Sequence, residues 1–193
     1  MSGLTRSAFI ARGAIATGSV YGAGAVGGYV TRALARSGAG DIDIVNFALT
    51  LEYLEAAFYK DGLARAGLSG RAKKLAKEIG DNEAQHVDAL IQTVKQLGGK
   101  PVSAPKVAFP FKDEKSFLKL AQVFEDTGVS AYNGAAPMIE SKDVLGAAGS
   151  IVQVEARHAA AIRLLNGADP SPAAFDRTLG KNQVLAAVKP FIK

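Results

Sequence analysis

The chain contains only two histidines, and each stands three residues after a glutamate, in Glu83-Ala-Gln-His86 and Glu155-Ala-Arg-His158. Residues i and i+3 of a helix share a face, so each pair aims a carboxylate and an imidazole at one point. A further glutamate precedes each pair inside an apolar stretch: Glu52 in ALTLEYLEAAFY and Glu125 in LAQVFEDTGVSAY. The offsets nearly repeat, 31 residues from Glu52 to Glu83 and 30 from Glu125 to Glu155. Each upstream glutamate also has a tyrosine seven residues later, Tyr59 and Tyr132. One Glu from each of two helices and Glu-x-x-His from two others is the ligand set of a di-metal carboxylate site in a four-helix bundle. The pattern predicts such a site, built by an internally repeated helix pair.

Chance is a poor account of it. With eight glutamates in 193 residues, both histidines acquire a glutamate at i−3 at random with a probability of about 0.2%. A single such pair would read as a solvated helix face; the doubled one does not. Between Ile44 and Tyr59 the only charges are Glu52 and Glu55, and a carboxylate in so apolar a run must be paired, protonated or metal-bound.

Composition narrows the rest. The length suits one domain with a sizeable core, and abundant alanine with sparse aromatics suits close-packed helices. The absence of cysteine excludes disulfides, thiolate ligands and cysteine chemistry. The net charge of +5 is partly local, because beyond residue 35 the balance is 20 basic against 18 acidic residues. No basic cluster is interleaved with aromatics, so no nucleic-acid partner is expected.

Residues 1–40 read as a segment of their own, with 41–167 as the bundle and 168–193 as a C-terminal tail. Residues 13–31 are uncharged and crowded with Gly and Ala, and Arg6, Arg12, Arg32 and Arg36 flank them. Ala33-Leu34-Ala35 has the form of a signal-peptidase cleavage site. The stretch from Thr5 to Ile10 resembles a twin-arginine export signal, with one arginine where that motif has two. Three readings stay open: a cleaved export signal that places the protein in the periplasm or envelope, a retained membrane anchor through residues 13–31, and a cytoplasmic protein with a flexible tail.

Four long helices are expected in the remainder. The first begins with Asp41 or Asp43 as N-cap and stops at Gly67. The second is capped by Ser69 and ends at Gly98-Gly99. GGKPVSAPKVAFPF, with three prolines in fourteen residues, forms the one long connection, as a crossover between helix pairs requires. The third starts at Asp113, and Pro137 kinks or ends it. The fourth is capped by Ser141 and ends at Asn166-Gly167, and one short helical piece follows near Gln183–Val188. No strand signal is present, so the fold class is all-α. Helix one has no clean polar face. Either the C-terminal tail packs over it or it forms a homodimer interface, the arrangement favoured here.

The segment from Asp41 to Gly167 resembles the ferritin-like superfamily of di-iron carboxylate proteins. In bacterioferritins and rubrerythrins the first ligand Glu is likewise followed seven residues later by Tyr, which selects Glu52 over Glu55. LTLEYLEAAFY, DNEAQHVDAL, GAAPMI and VLAAVKPFI are most similar to the bacterial ferritin-like domain family related to plant desiccation-related proteins, which often carries a twin-arginine type leader. A clear fifth helix of the ferritin kind is missing, so a storage cage is not implied.

The donor set of Glu52, Glu83, His86, Glu125, Glu155 and His158 suits two Fe ions, with Mn or a mixed Fe/Mn pair as the alternative. Glu83 and Glu155 are expected to bridge, Glu52 and Glu125 to be terminal, and each His to bind one metal. Four carboxylates neutralise two divalent ions, so the filled site can sit in an apolar core. The expected chemistry is ferroxidase-like or linked to O2 or peroxide. The alternative is a non-catalytic stress or envelope interaction protein that keeps the fold. Tyr59 and Tyr132 are candidates for hydrogen-bonding ligand carboxylates or passing electrons, against a plain packing role. In bacterioferritins an Asp before the Glu of Glu-x-x-His holds the opposite histidine; here Asn82 and Val154 stand there, so one metal position has the poorer support. Glu55, Asp88 and Asp126 are candidates for supporting the ligands, against the favoured reading as ordinary polar positions; Gly80 and Gly128 are candidates for making room for close helix approach or small-molecule access, against the favoured reading as packing glycines.

Overall fold

The computed structural model describes residues 39–193. The readings made of residues 1–38 (export signal, anchor and cleavage site) lie outside the described residues. The elements are α1 (Ala39–Arg65), α2 (Gly70–Gln96), α3 (Glu114–Ala135), α4 (Lys142–Leu165) and a short α5 (Lys181–Val188), with single 3-10 turns at Ala136–Met138 and Lys189–Phe191. α1 packs mainly on α2 and α3 on α4, and the two pairs meet through α1–α3 and α2–α4. Among the described residues there is no strand, only an isolated antiparallel bridge between Val107 and Ile192.

Local chemistry sets most helix ends. Gly67, Gly98 and Gly167 have φ of 65°, 78° and 71°, the left-handed conformation that ends a helix cheaply only at glycine. Asp113 accepts from the Ser116 N–H at 2.8 Å, and Ser141 caps α4 through the Val144 N–H. Pro137 ends α3, and a 3-10 turn follows. Two ends depart from expectation. α1 is already helical at Ala39, so Asp41 lies inside its first turn. Its fully buried carboxylate accepts from the N–H groups of Glu140 and Ser141, both at 2.9 Å, and ties the start of α1 to the start of α4. Ser69 makes no side-chain cap; its N–H and hydroxyl donate to Glu114 across the bundle.

Two apolar clusters fill the bundle, one on each side of its acidic middle. The first is aromatic, with Phe58 stacked on Phe117 at 4.5 Å and edge-on to Phe124 at 4.9 Å. The second is aliphatic and centres on Val45, Leu49, Leu90 and Val94, with Tyr132 joining it. The crossover delivers Phe109 and Phe111 to the first cluster. Arg65 holds it there, donating to the carbonyls of Phe109 and Phe111 at 2.8 and 2.9 Å. The tail then packs back. Val184 and Val188 enter the aromatic cluster, Lys181 lies 5.5 Å above the Phe47 ring of α1, and the Phe191 carbonyl accepts from the Ala108 N–H. The tail helix α5 packs mainly on α3, and Lys181 extends over Phe47 of α1.

Candidate metal centre

Between the two clusters lie the six sequence-predicted donors. Glu52 comes from α1, Glu83 and His86 from α2, Glu125 from α3, and Glu155 and His158 from α4. The four carboxylates have no exposure at all, while the side chains of His86 and His158 are 12% and 6% exposed. The donors fall into two groups whose ligand atoms all lie within 4.8 Å of one another: Glu52, Glu83, His86 and Glu155, and Glu83, Glu125, Glu155 and His158. Glu83 and Glu155 belong to both.

The contacts are close, but hydrogen bonds satisfy only part of them. His86 Nδ1 is 3.2 Å from Glu52, 3.2 Å from Glu83 and 3.1 Å from Glu155, and one N–H cannot serve three carboxylates. His158 Nδ1 is 2.9 Å from Glu83 Oε1, yet misaligned, so that both atoms, both oxygens of Glu155 and Glu125 Oε2 make no hydrogen bond. Leaving buried polar atoms unmade is costly. Donors around an ion with bonds of about 2.1 Å at right angles stand about 3 Å apart. The lone pairs converge on shared points rather than on each other, which fits an ion at each point. An all-oxygen and imidazole set without thiolate fits Fe or Mn.

Around the donors the support is crossed between helix pairs. Tyr132 of α3 donates to Glu52 of α1 at 2.5 Å, and Tyr59 of α1 donates to Glu125 of α3. Asn82 lies 3.0 Å from His158 Nε2; with Nδ1 turned to the carboxylates, that contact orients the ring. Val154 provides nothing comparable for His86.

Burial and like charge govern the protonation. Burial pushes Glu52 up to about 7 and holds Glu55 and Glu155 well above the carboxylate range, with neighbouring glutamates adding to it. For Glu83, burial is outweighed by the adjacent imidazoles of His158 and His86, which bring it down to about 2. Burial disfavours charge on the imidazoles, but the carboxylates prevail and raise His86 to about 12 and His158 to about 10. Protons on the histidines serve as the cations of the metal-free cluster. Tyr59 and Tyr132 stay protonated, first through burial and then through the adjacent carboxylates.

The sequence reading ranked one residue here too low. Glu55 is 3% exposed and faces the cluster, so it is not an ordinary polar position. Its signal was its place one helical turn from Glu52. Asp88 is exposed, and Asp126 pairs with Arg163 at 2.8 Å. Gly80 packs against Tyr59, where an added Cβ would lie 3.1 Å from Tyr59 Cβ, whereas Gly128 opens onto the carboxylates of Glu55 and Glu155.

A helical bundle with two groups of buried carboxylates and histidines sharing two glutamates defines a ferritin-like protein. The family model described as a ferritin-like domain matches residues 40–168, and the chain belongs to that family. Among curated proteins, Protein rds1 of Schizosaccharomyces pombe is 23% identical over 160 residues, covering 79% of this chain. The match spans only 39% of that relative's length. Among solved structures, the conserved hypothetical protein rv2844 of Mycobacterium tuberculosis shares the fold, with a TM-score of 0.61 at 19% identity over 70% of this chain and 96% of that one.

Proposed function

We propose that the chain is a di-metal carboxylate protein that holds two Fe ions, or Mn in their place, and acts on O2 or peroxide. The observation that carries this reading is the set of buried lone pairs that converge without hydrogen-bonding each other. A redox-active ion pair in this position supplies one-electron steps toward a small oxidant. Glu83 and Glu155, common to both groups, span the two positions. Glu52 and Glu125 close the ends, and His86 and His158 serve one position each.

The surrounding residues orient and shield. Each terminal glutamate is fixed by a phenol from the opposite helix pair, which keeps its proton at Oη; of the second oxygens, Glu52 Oε2 faces His86 and Glu125 Oε2 has no hydrogen bond. His86 is the donor nearest solvent. Beside Tyr132 lies an apolar cavity of about 30 Å³ walled by Ala48, Leu51, Leu90, Ala131 and Ala148, room for a molecule the size of water or O2. Apolar walls favour O2, since peroxide would lose hydrogen bonds to water on entry.

The test is metal content per full chain after anaerobic loading with Fe(II) or Mn(II), in wild type and Glu83→Ala, followed by Fe(II)-dependent O2 uptake in wild type and His86→Ala. Two ions per chain, lost in Glu83→Ala, with O2 uptake reduced at least about tenfold in His86→Ala, is the expected result. Equal O2 uptake in wild type and His86→Ala would sink the redox reading, and no stoichiometric metal would sink the centre.

A further inference from the structure

Glu55 has no role in the centre described above, yet its carboxylate is buried with the donors. It is 3% exposed, and it makes no hydrogen bond or ion pair with any described residue. The charges that face it are the carboxylates of Glu155, Glu83, Glu125 and Glu52. A carboxylate so placed has no compensation unless a cation or a proton joins it.

The opposite helix has made room for it. An added Cβ at Gly128 would stand 3.2 Å from Glu55 Oε1 and 3.7 Å from Oε2, and 3.3 Å from Glu155 Oε2. Glu55 therefore reaches from α1 across the bundle to α3, into an opening it shares with a glutamate common to both donor groups. The internal repeat makes this opening meaningful. Glu52 corresponds to Glu125 and Tyr59 to Tyr132 at an offset of 73 residues, and that offset carries Glu55 onto Gly128. One half of the repeat extends an acid, and the other has no side chain to obstruct it. Glu55 lies one helical turn from Glu52 and Gly128 one turn from Glu125, so the acid arrives between the two terminal glutamates, beside the shared Glu155.

We propose that Glu55 is a fifth carboxylate donor of the metal centre, reaching it beside Glu155 through the opening at Gly128. The proposal rests on the di-metal reading. Four carboxylates balance two divalent ions; a fifth leaves one negative charge, which one divalent and one trivalent ion neutralise. Glu55 therefore favours the oxidised centre.

The experiment is an anaerobic titration of the full, metal-free chain with Co(II), followed by calorimetry and visible absorption, in wild type, Glu55→Gln and Glu55→Ala. Wild type is expected to take up two Co(II) per chain. In both variants one binding step should weaken at least about tenfold and the Co(II) bands should change in position and intensity as the coordination changes. Glu55→Asp, whose carboxylate stops one methylene short, should lose the same step and serves if the amide disturbs folding. With iron, the midpoint potential of Glu55→Gln should shift positive. Variants whose isotherms, spectra and potential superpose on those of wild type would overturn the proposal while leaving the di-metal reading intact. A wild type that takes up no Co(II) would overturn both.

Discussion

At the scale of single residues the centre is a balance between carboxylates that resist ionisation in an apolar core and cations that permit it. In the metal-free chain the cations are protons. Glu52 is raised to about 7, His158 to about 10 and His86 to about 12, in each case with burial competing against or adding to the neighbouring charges. Glu55 and Glu155 are raised further. Groups whose folded pKa lies above the unfolded value make the folded state bind more protons than the unfolded one. Their stabilisation is complete below the unfolded pKa and is lost as pH rises through the folded one. The metal-free chain should therefore melt at progressively lower temperature from pH 5 to pH 9. Glu83, lowered to about 2, has the opposite sign, but its contribution is lost only as pH falls from its unfolded value toward 2, outside that window. Thermal melts in chelator across the range check this, and a melting temperature that climbs with pH would refute the assignment. Metal replaces the same protons, so its affinity should rise with pH.

At the scale of elements, helix contacts depend on where side chains are missing. Gly62 of α1 lies against Phe117 of α3, and an added Cβ would fall 2.1 Å from the ring. That ring is stacked on Phe58 and edge-on to Phe111, so it has nowhere to go. Overpacking of this kind costs about 1–3 kcal/mol, while alanine in a helix interior returns about 1 kcal/mol relative to glycine. The clash is the larger effect. Gly62→Ala should lower the melting temperature by several degrees, and equal or higher stability would show that the helix pairs can separate at little cost. The same elements mark how far local reading goes. Helix ends at Gly67, Gly98, Asp113, Pro137 and Ser141 follow from one or two residues each, and the sequence carried them. Asp41 did not follow, because its partners are the backbone amides of Glu140 and Ser141, 99 and 100 residues further along the chain.

At the scale of the whole molecule, the crossover and the tail close the aromatic end of the bundle together. Phe109 and Phe191 lie 6.4 Å apart, and Phe191 is edge-on to Phe124 at 4.9 Å. The tail reaches this place by passing close to α3: the Leu179 N–H donates to the Ser130 carbonyl at 3.0 Å, and a Cβ on Gly134 would meet the Leu179 carbonyl oxygen at 2.0 Å. A backbone atom cannot swing aside as a side chain can. Gly134→Ala should unseat the tail, so that limited proteolysis cuts the exposed stretch before α5 faster, while Co(II) binding in the middle of the bundle is unchanged. Unaltered cleavage would mean that the tail is held elsewhere.

The sequence by itself determined the all-α class, the helix ends built from local chemistry, and six donors whose spacing announces them, because a helix places residues three and seven apart on one face whatever surrounds it. Only the tertiary structure decided the crossed tyrosine bonds to Glu52 and Glu125, the seating of the tail on α3, the bond from Asp41 to the head of α4, and the arrival of Glu55 opposite Gly128. Each of these depends on two residues far apart in the chain, brought together by packing that local periodicity does not encode.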